Sequence, residues 1–436
     1  MAFETSRDTA TVANGYQDLL DKMVTFMDAN GWDVLRDLDS LGVTAVALVS
    51  GGTGYTVSDT LTLVGGTGTA ATLTVTAVSS GVITAASVAT HGSYSVAPSG
   101  TLAVTGGTGS GATFTASVHG EVNEKQVILQ SSDDAYVGVR TFRDADTGAF
   151  QWSLRGFTGY VAENSWATQP GASVENVTGG SGTEDGCFVP LVNAGTNIHY
   201  WWNSSSRRIC GCLLVNTTYL PFYLGFVSPF VTSGEWPYPL FVGGCLNRSD
   251  ILYSETTPGI SGPVDPIKYN DGDDGPCQLR SVDGAWYTVA NGQQVSGSNR
   301  QTLDGEIWVY PTGYGAAHIA TSDDDWITQG TGDNAVDNRS IMPHSLSSAG
   351  VAINAQPSVI IEPTTDSGGD VYTPVQCIIV GATPSTQLYA EIDQMYWVTG
   401  SGLSAEDTID DGVDTFHVFP NGNRSEVYNW WCLKED

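Results

Sequence analysis

The chain predicts a mainly β fold: a multi-domain, β-sandwich-like body with one N-terminal amphipathic helix and a small inserted all-β repeat domain. Three observations carry that expectation. Gly, Thr, Ser, Val, Tyr and Trp are plentiful while charged residues make up only 14% of the 436, a mixture that favours turn-rich β-structure. Short runs alternate apolar and polar residues with the period of a half-buried strand. Helical spacing is convincing in one place only. The 12 Trp and 18 Tyr exclude the disordered class.

That helix lies in GYQDLLDKMVTFMDANGWDVL, where Tyr16, Leu19, Leu20, Met23, Phe26 and Met27 recur at spacings of three and four. Asn30-Gly31 supplies a left-handed stop, and Trp32, Val34 and Leu35 begin a strand. From Gly42 to His119 the composition changes abruptly: no Lys or Arg, a single acid (Asp59), and abundant Gly, Thr, Val and Ala. GYTVSDTLTLVGGTGTAATLTVT from Gly54 recurs loosely as GSYSVAPSGTLAVTGGTGSGATFTAS from Gly92. The GGTG elements at 65–68 and 106–109 read as tight turns, and VSSGVITAASVAT between the two copies reads as a bridging strand pair. GGTG is no phosphate cradle here, because no strand-to-helix context follows it and GxxxxGK[ST] is absent.

After His119 the strands resume. Val127–Leu129 is one; Tyr136 to Phe142 alternates as a second; Phe150, Trp152 and Leu154 mark a third, with ADTG at 145–148 as the hairpin turn. The 127–129 run continues naturally from Trp32–Arg36, so 42–119 reads as an insertion. The expected division is therefore 1–41, 42–119 and 120–436, with a further division point near 246–300. Residues 160–185 read as a long loop, and IHYWWNSSSRRICGCLLVNTTYL as two strands around an NSSS turn. Later strands are expected at 306–311, 359–363, 375–381, 391–400, 414–420 and 428–433.

The stretch from Tyr219 to Gly244 holds eight aromatics, four prolines and one charge in 26 residues. Pro221, Pro229, Pro237 and Pro239 argue against a membrane span, so it reads as short strands and Pro-bent turns. Exposed, it would be too large an apolar patch for a soluble monomer. Phe222, Tyr223, Phe226, Phe230, Trp236, Tyr238 and Phe241 are therefore the candidate subunit-contact residues. Trp201-Trp202 and Trp430-Trp431 are adjacent aromatics whose side chains point to opposite faces of a strand. One ring of Trp201 or Trp202 exposed in this way could stack on a sugar, although core plus subunit contact is the favoured role.

A net charge of −31, from 47 acidic and 16 basic residues, repels phosphate backbones and anionic lipid, so no nucleic-acid partner and no membrane insertion are expected. The first residues lack a basic segment followed by an apolar run, so no signal peptide is expected. Seven dispersed cysteines, with Cys210-Gly-Cys212 the one close pair, read as buried thiols. DADTG (144–148) and DGDDG (271–275) read as solvated turns, since neither has the spacing of a calcium loop; Asp323-Asp324-Asp325 is likewise a solvated run. HExxH and GxSxG are missing, while the abundant carboxylates leave a glycosidase pair open; neither metal, cofactor nor catalytic residue is assigned.

Four pieces together resemble a family of tail-associated structural proteins of tailed bacterial viruses: YQDLLDKMVTFMDANGWDVLRD (16–37), AYVGVRTFRDADTGAFQWSLRGFTGY (135–160), TTYLPFYLGFVSPFVTSGEWPYPLFVGG (217–244) and the close from Glu391 to Asp436. The repeat separately resembles modules inserted into phage tail and fibre proteins. The resemblance implies a non-enzymatic virion component of the tail, at the tip or baseplate. It would be made in the host cytoplasm and act as an oligomer, with copies of itself and other tail proteins as partners. The alternatives are a receptor-binding adhesin for host surface carbohydrate and a head-decoration or neck-collar protein.

Overall fold

The helix forms where its spacing places it, Gly15–Ala29, and buries Tyr16, Leu19, Leu20, Met23, Phe26 and Met27. Its end is closed by the Asn30 N–H on the Met27 carbonyl (3.0 Å) and the Asn30 side-chain amide on the Phe26 carbonyl (2.8 Å). Gly31 then turns the chain at φ +86°, the left-handed region that glycine adopts without a Cβ clash. The computed structural model describes residues 1–9, 11–143, 148–175, 186–229, 239–246, 277–280, 284, 286–291, 307–311, 364–366, 369–372, 374–381, 387–398, 400, 402–420 and 430–435.

Beyond Gly31, Trp32–Leu38 is the edge of a five-stranded antiparallel sheet. Its neighbours in order are Gln126–Ser131, Tyr136–Arg143, Phe150–Phe157 and Cys187–Leu191. Arg36 pairs with Ile128 and Leu38 with Gln126, so residues on either side of the 42–119 segment are ladder neighbours. The inner face of this sheet, with Val127, Leu129, Val137, Val139, Trp152 and Leu154, packs with the helix onto a second layer.

That second layer is made of Asn197–Ser204, Arg208–Val215, Thr218–Phe226 and Leu240–Gly243, consecutive antiparallel strands of a larger sheet. Tyr200, Trp202, Leu213, Phe222, Leu224 and Val242 face the helix side. Trp201, Cys210, Cys212, Tyr223 and Phe241 face the other way, onto Ala390, Ile392, Met395, Phe419, Trp431 and Leu433. The far layer comes from the same sheet folded back, through strands Gln387–Val398, Thr415–Pro420 and Trp430–Lys434. A strand covered on both faces needs apolar side chains at every position. This is why 209–226 is almost uniformly apolar.

The Pro-rich stretch differs in one respect from the expected short strands and bent turns. Thr218–Phe226 is a single nine-residue strand with Pro221 inside it, opposite Cys212. Its ladder with Leu240–Gly243 begins only at Tyr223, so on that side Pro221 lies beyond the paired segment and its missing N–H costs no ladder bond. The Cys245 thiol donates to the Pro221 carbonyl at 3.0 Å instead.

Residues 42–119 build a separate six-stranded antiparallel sheet, in the order Gly42–Thr53, Ser110–His119, Leu102–Gly106, Thr60–Leu63, Thr72–Ser79 and Val82–Thr90. The sheet curls into a barrel. At one end the Val43 N–H reaches the His91 carbonyl (2.8 Å), and at the other the Tyr55 N–H reaches the Gly81 carbonyl (3.0 Å). The two outer strands thereby lie against each other, which removes the free edges that invite unwanted pairing. Tyr55, Leu61, Leu63, Leu73, Val75, Ile83, Tyr94, Leu102 and Phe114 fill its interior. The GGTG elements are turns only in part. Gly65 and Gly66 turn at φ +142° and +72°, but Thr67–Thr69 is a short strand pairing with Ser93–Val96.

At the root of the barrel the flanking segments are tied to the helix, and the barrel's last residue, His119, is tied to the body. Lys125 Nζ lies among Asp21 (2.8 Å), Asp39 (3.1 Å) and Asp37, and His119 Nε2 meets the Glu163 carbonyl at 2.8 Å. Burial opposes the charge on Lys125, but its hydrogen bonds to Asp21 and Asp37 outweigh that and raise its pKa.

Candidate functional site

Functional-looking side chains converge where the N-terminal segment crosses the second layer. Ala2–Thr5 pairs with 201–204, and Ala13–Asn14 with 197–198, along one edge of the Asn197–Ser204 strand. Between them Ser6–Thr9 lifts away as a single helical turn, leaving His199 and Tyr200 outside both ladders. Side chains fill the gap. The Tyr200 N–H donates to Ser6 Oγ (3.1 Å), and Ser6 Oγ lies 3.1 Å from His199 Nδ1. Arg7 Nη1 lies 3.0 Å from His199 Nε2. Arg7 also clasps Glu406 bidentately, at 2.8 and 2.5 Å, and its guanidinium lies 5.6 Å over the Trp201 ring. The Tyr219 hydroxyl completes the set by donating to Glu406 Oε1 at 2.9 Å.

Serine, histidine and a carboxylate so close together invite comparison with a hydrolytic triad, but the wiring is the reverse of one. A guanidinium only donates, so His199 Nε2 accepts from Arg7 and the ring proton of the neutral imidazole sits on Nδ1. Nδ1–H then donates to Ser6 Oγ, which leaves no lone pair to take the serine proton. Glu406 is spent on Arg7 and Tyr219, not on orienting the imidazole. Burial, and then the Arg7 charge, lower the His199 pKa, which favours this neutral state. The arrangement is a clamp joining the first residues, the 197–204 strand and the segment around Glu406.

The same corner holds the last described strand. Phe3 stacks on His417 with centroids 5.0 Å apart, His417 Nε2 lies 3.7 Å from Glu435, and Asn203 donates to the Lys434 and Glu435 carbonyls. Burial lowers the His417 pKa as well.

A second polar cluster lies on the outer face of the five-stranded sheet. Glu175 accepts from Arg140 Nε (3.0 Å), Trp166 Nε1 (2.7 Å) and the Ser153 hydroxyl, with Arg155 Nη1 at 3.4 Å. Arg155 also reaches the Ser173 and Trp166 carbonyls. These bonds pin the segment 158–175 over the sheet, where Trp166 packs on Phe157 and Ile128. The cluster is closed in on itself and holds a loop down.

The seven candidate contact residues divide into two groups. Phe222, Tyr223, Phe226 and Phe241 are buried in the chain's own two cores, and their expected role is corrected accordingly: these rings are covered by the helix, the outer sheet and the folded-back strands, with no face left for another subunit. Phe230, Trp236 and Tyr238 lie outside the described residues. Trp201 and Trp202 do point to opposite faces, but both faces are interior; the rings are 1% and 0% exposed, so neither can stack on a sugar. Trp431 is buried in the far core, and Trp430 packs on the neighbouring cluster formed by Val398, Phe416 and Val418.

Cys187, Cys210, Cys212, Cys245, Cys277 and Cys432 are all buried thiols. Burial pushes Cys210 up to about 12 and Cys212 well above its ordinary value, which disfavours the thiolate a metal would need. The expected turns at 144–147, 271–275 and 323–325, and the expected strand at 359–363, lie outside the described residues. Among the described residues no helix is long and apolar enough to cross a membrane.

Ser6, Arg7, His199 and Glu406 were not legible as a group. Ser6 and Arg7 are neighbours, but His199 and Glu406 lie far from them in sequence, and no motif spacing links the three places; the scarcity of histidine, six in the chain, was the only pointer. Compared with known protein families and with curated proteins, the chain matches none.

Proposed function

We propose that this chain is a structural component of a tailed-phage virion, placed in the tail at the tip or baseplate and acting by oligomeric assembly. The four-piece resemblance is what supports a tailed-phage particle. The observation that carries the structural reading is the clamp. The described constellation most like a catalytic one is committed to fastening Ser6 and Arg7 to the 197–204 strand and to the segment around Glu406. A mechanical part gains from such fastening, because joining segments far apart in sequence resists local opening.

The adhesin reading loses its tryptophan half, since Trp201 and Trp202 are inside. Gold-labelled antibody against the purified chain, applied to particles of the phage that encodes it, tests the proposal. Label at the tail end is the expected result. Label confined to the head or neck would move the protein there, and unlabelled particles would remove the virion assignment.

A further inference from the structure

We infer that the 42–119 barrel is the surface through which copies of this chain contact one another, with Val57 and Val96 as its two equivalent contact points. This rests on the oligomeric reading above and names the face that serves it.

The internal repeat places Gly54-Tyr55-Thr56-Val57 in one half and Ser93-Tyr94-Ser95-Val96 in the other. Both tyrosines are interior pillars, 3% and 1% exposed, whereas the valines two residues on are 53% and 59% exposed. A single exposed valine is ordinary. The same apolar side chain left outside at the same position of both halves is a property of the repeat. Leu48, Val49, Val64 and Val82 add to it, so six of the eleven exposed large hydrophobics among the described residues belong to this barrel. Val82 lies across the seam from Gly51, where an added Cβ would stand 2.5 Å from Val82 Cγ1. It therefore borders the strand that carries Leu48 and Val49.

Charge identifies the occupant. All 16 basic residues and 46 of the 47 acidic ones lie outside 42–119, which leaves the rest of the chain at −30. Two such bodies repel on approach, and salt screens that repulsion only beyond about 8 Å at physiological strength. The barrel contributes one carboxylate, Asp59, held at a pKa of about 2 by the Thr56 and Thr108 N–H groups and the Thr108 hydroxyl. It is the face two copies can bring together without that cost.

A carbohydrate occupant fits less well, because stacking on sugar needs an exposed ring. The aromatics of the barrel are Tyr55, Tyr94 and Phe114, and all three are buried. Aliphatic and hydroxyl groups around an uncharged centre match a protein contact. Two equivalent points per copy also suit a closed ring, in which each subunit touches two neighbours.

Sedimentation velocity of the full chain tests this, comparing wild type with V57E/V96E, the milder V57S/V96S and a V413E control on a body loop. Circular dichroism confirms that each is folded. Wild type and V413E should sediment as a multiple of 45.9 kDa. V57E/V96E should shift toward one copy, with at least a ~tenfold weaker dissociation constant, and V57S/V96S should fall between. Folded double variants that keep the wild-type size would overturn this inference and leave the assembly reading standing. Wild type sedimenting as one copy at every concentration would overturn both. Unchanged size with lost adsorption to host cells would replace the second copy with a host ligand.

Discussion

Replacing Trp202 with alanine separates an interior second layer from an exposed, ligand-facing one. Trp202 is fully buried, stacks on Tyr200 at 3.8 Å with an interplanar angle of 13°, and meets Phe26 of the helix at 6.0 Å. Truncating a large aromatic in such a place costs about 3–5 kcal/mol, because the transfer energy is lost and the surrounding layers refill the space only partly. One term works the other way. Trp202 Nε1 finds no hydrogen-bond partner among the described residues, so the alanine variant also removes a buried donor that was costing about 1–3 kcal/mol. The net expectation is about 0–4 kcal/mol, centred near 2. Trp202→Phe keeps most of the ring and removes the same donor, so it should cost about 1 kcal/mol or less. Urea unfolding followed by far-ultraviolet circular dichroism, with the slope compared across the three proteins, measures both. Since both variants remove the donor, an Ala variant less than about 1 kcal/mol worse than the Phe variant would refute the reasoning.

The clamp and the neighbouring Phe3–His417 stack predict a pH dependence. His199 and His417 both titrate below the ordinary 6.5, so between the two values the unfolded chain binds more protons. Stability contributed by these groups is therefore present above pH 6.5 and falls as pH drops through it. Hydrogen exchange of residues 1–9 should accelerate between pH 7.5 and 5.5 after correction for intrinsic rates, and H199Q/H417Q should flatten that change. Lys125→Met leaves Asp21, Asp37 and Asp39 facing one another at the root of the barrel. Since those carboxylates are partly hydrated, the expected loss is about 1–3 kcal/mol in thermal or urea unfolding, partly restored by 1 M salt. Cys210 and Cys212, buried with raised pKa values, should resist iodoacetamide at pH 8 in the native protein and react in denaturant. Rapid native alkylation of either would place that strand at the surface.

The helix was legible because Tyr16, Leu19, Met23 and Phe26 mark a face that needs no knowledge of what covers it. The sharp change of composition on either side of 42–119 marked that segment off, but the antiparallel pairing of 32–38 with 126–131 could not be read from it. Trp201 shows where reading stopped. Alternation gives the direction of a side chain but not its cover, and the cover of Trp201 comes from Phe419 and Trp431, over two hundred residues on. The same gap turned the mid-chain aromatics into candidate contact residues, when a folded-back sheet supplies their neighbours within one chain. The clamp was invisible for a related reason: Ser6, His199 and Glu406 meet only because an N-terminal strand lifts off its neighbour for four residues.

Quantitative mass spectrometry of purified, infectious particles of the encoding phage tests the central claim most directly. A building block of the tail should appear in every preparation at one fixed, low copy number per particle, and survive washes that strip adsorbed host protein. Peptides absent from the particles while the intact chain accumulates in the infected cell would contradict the account.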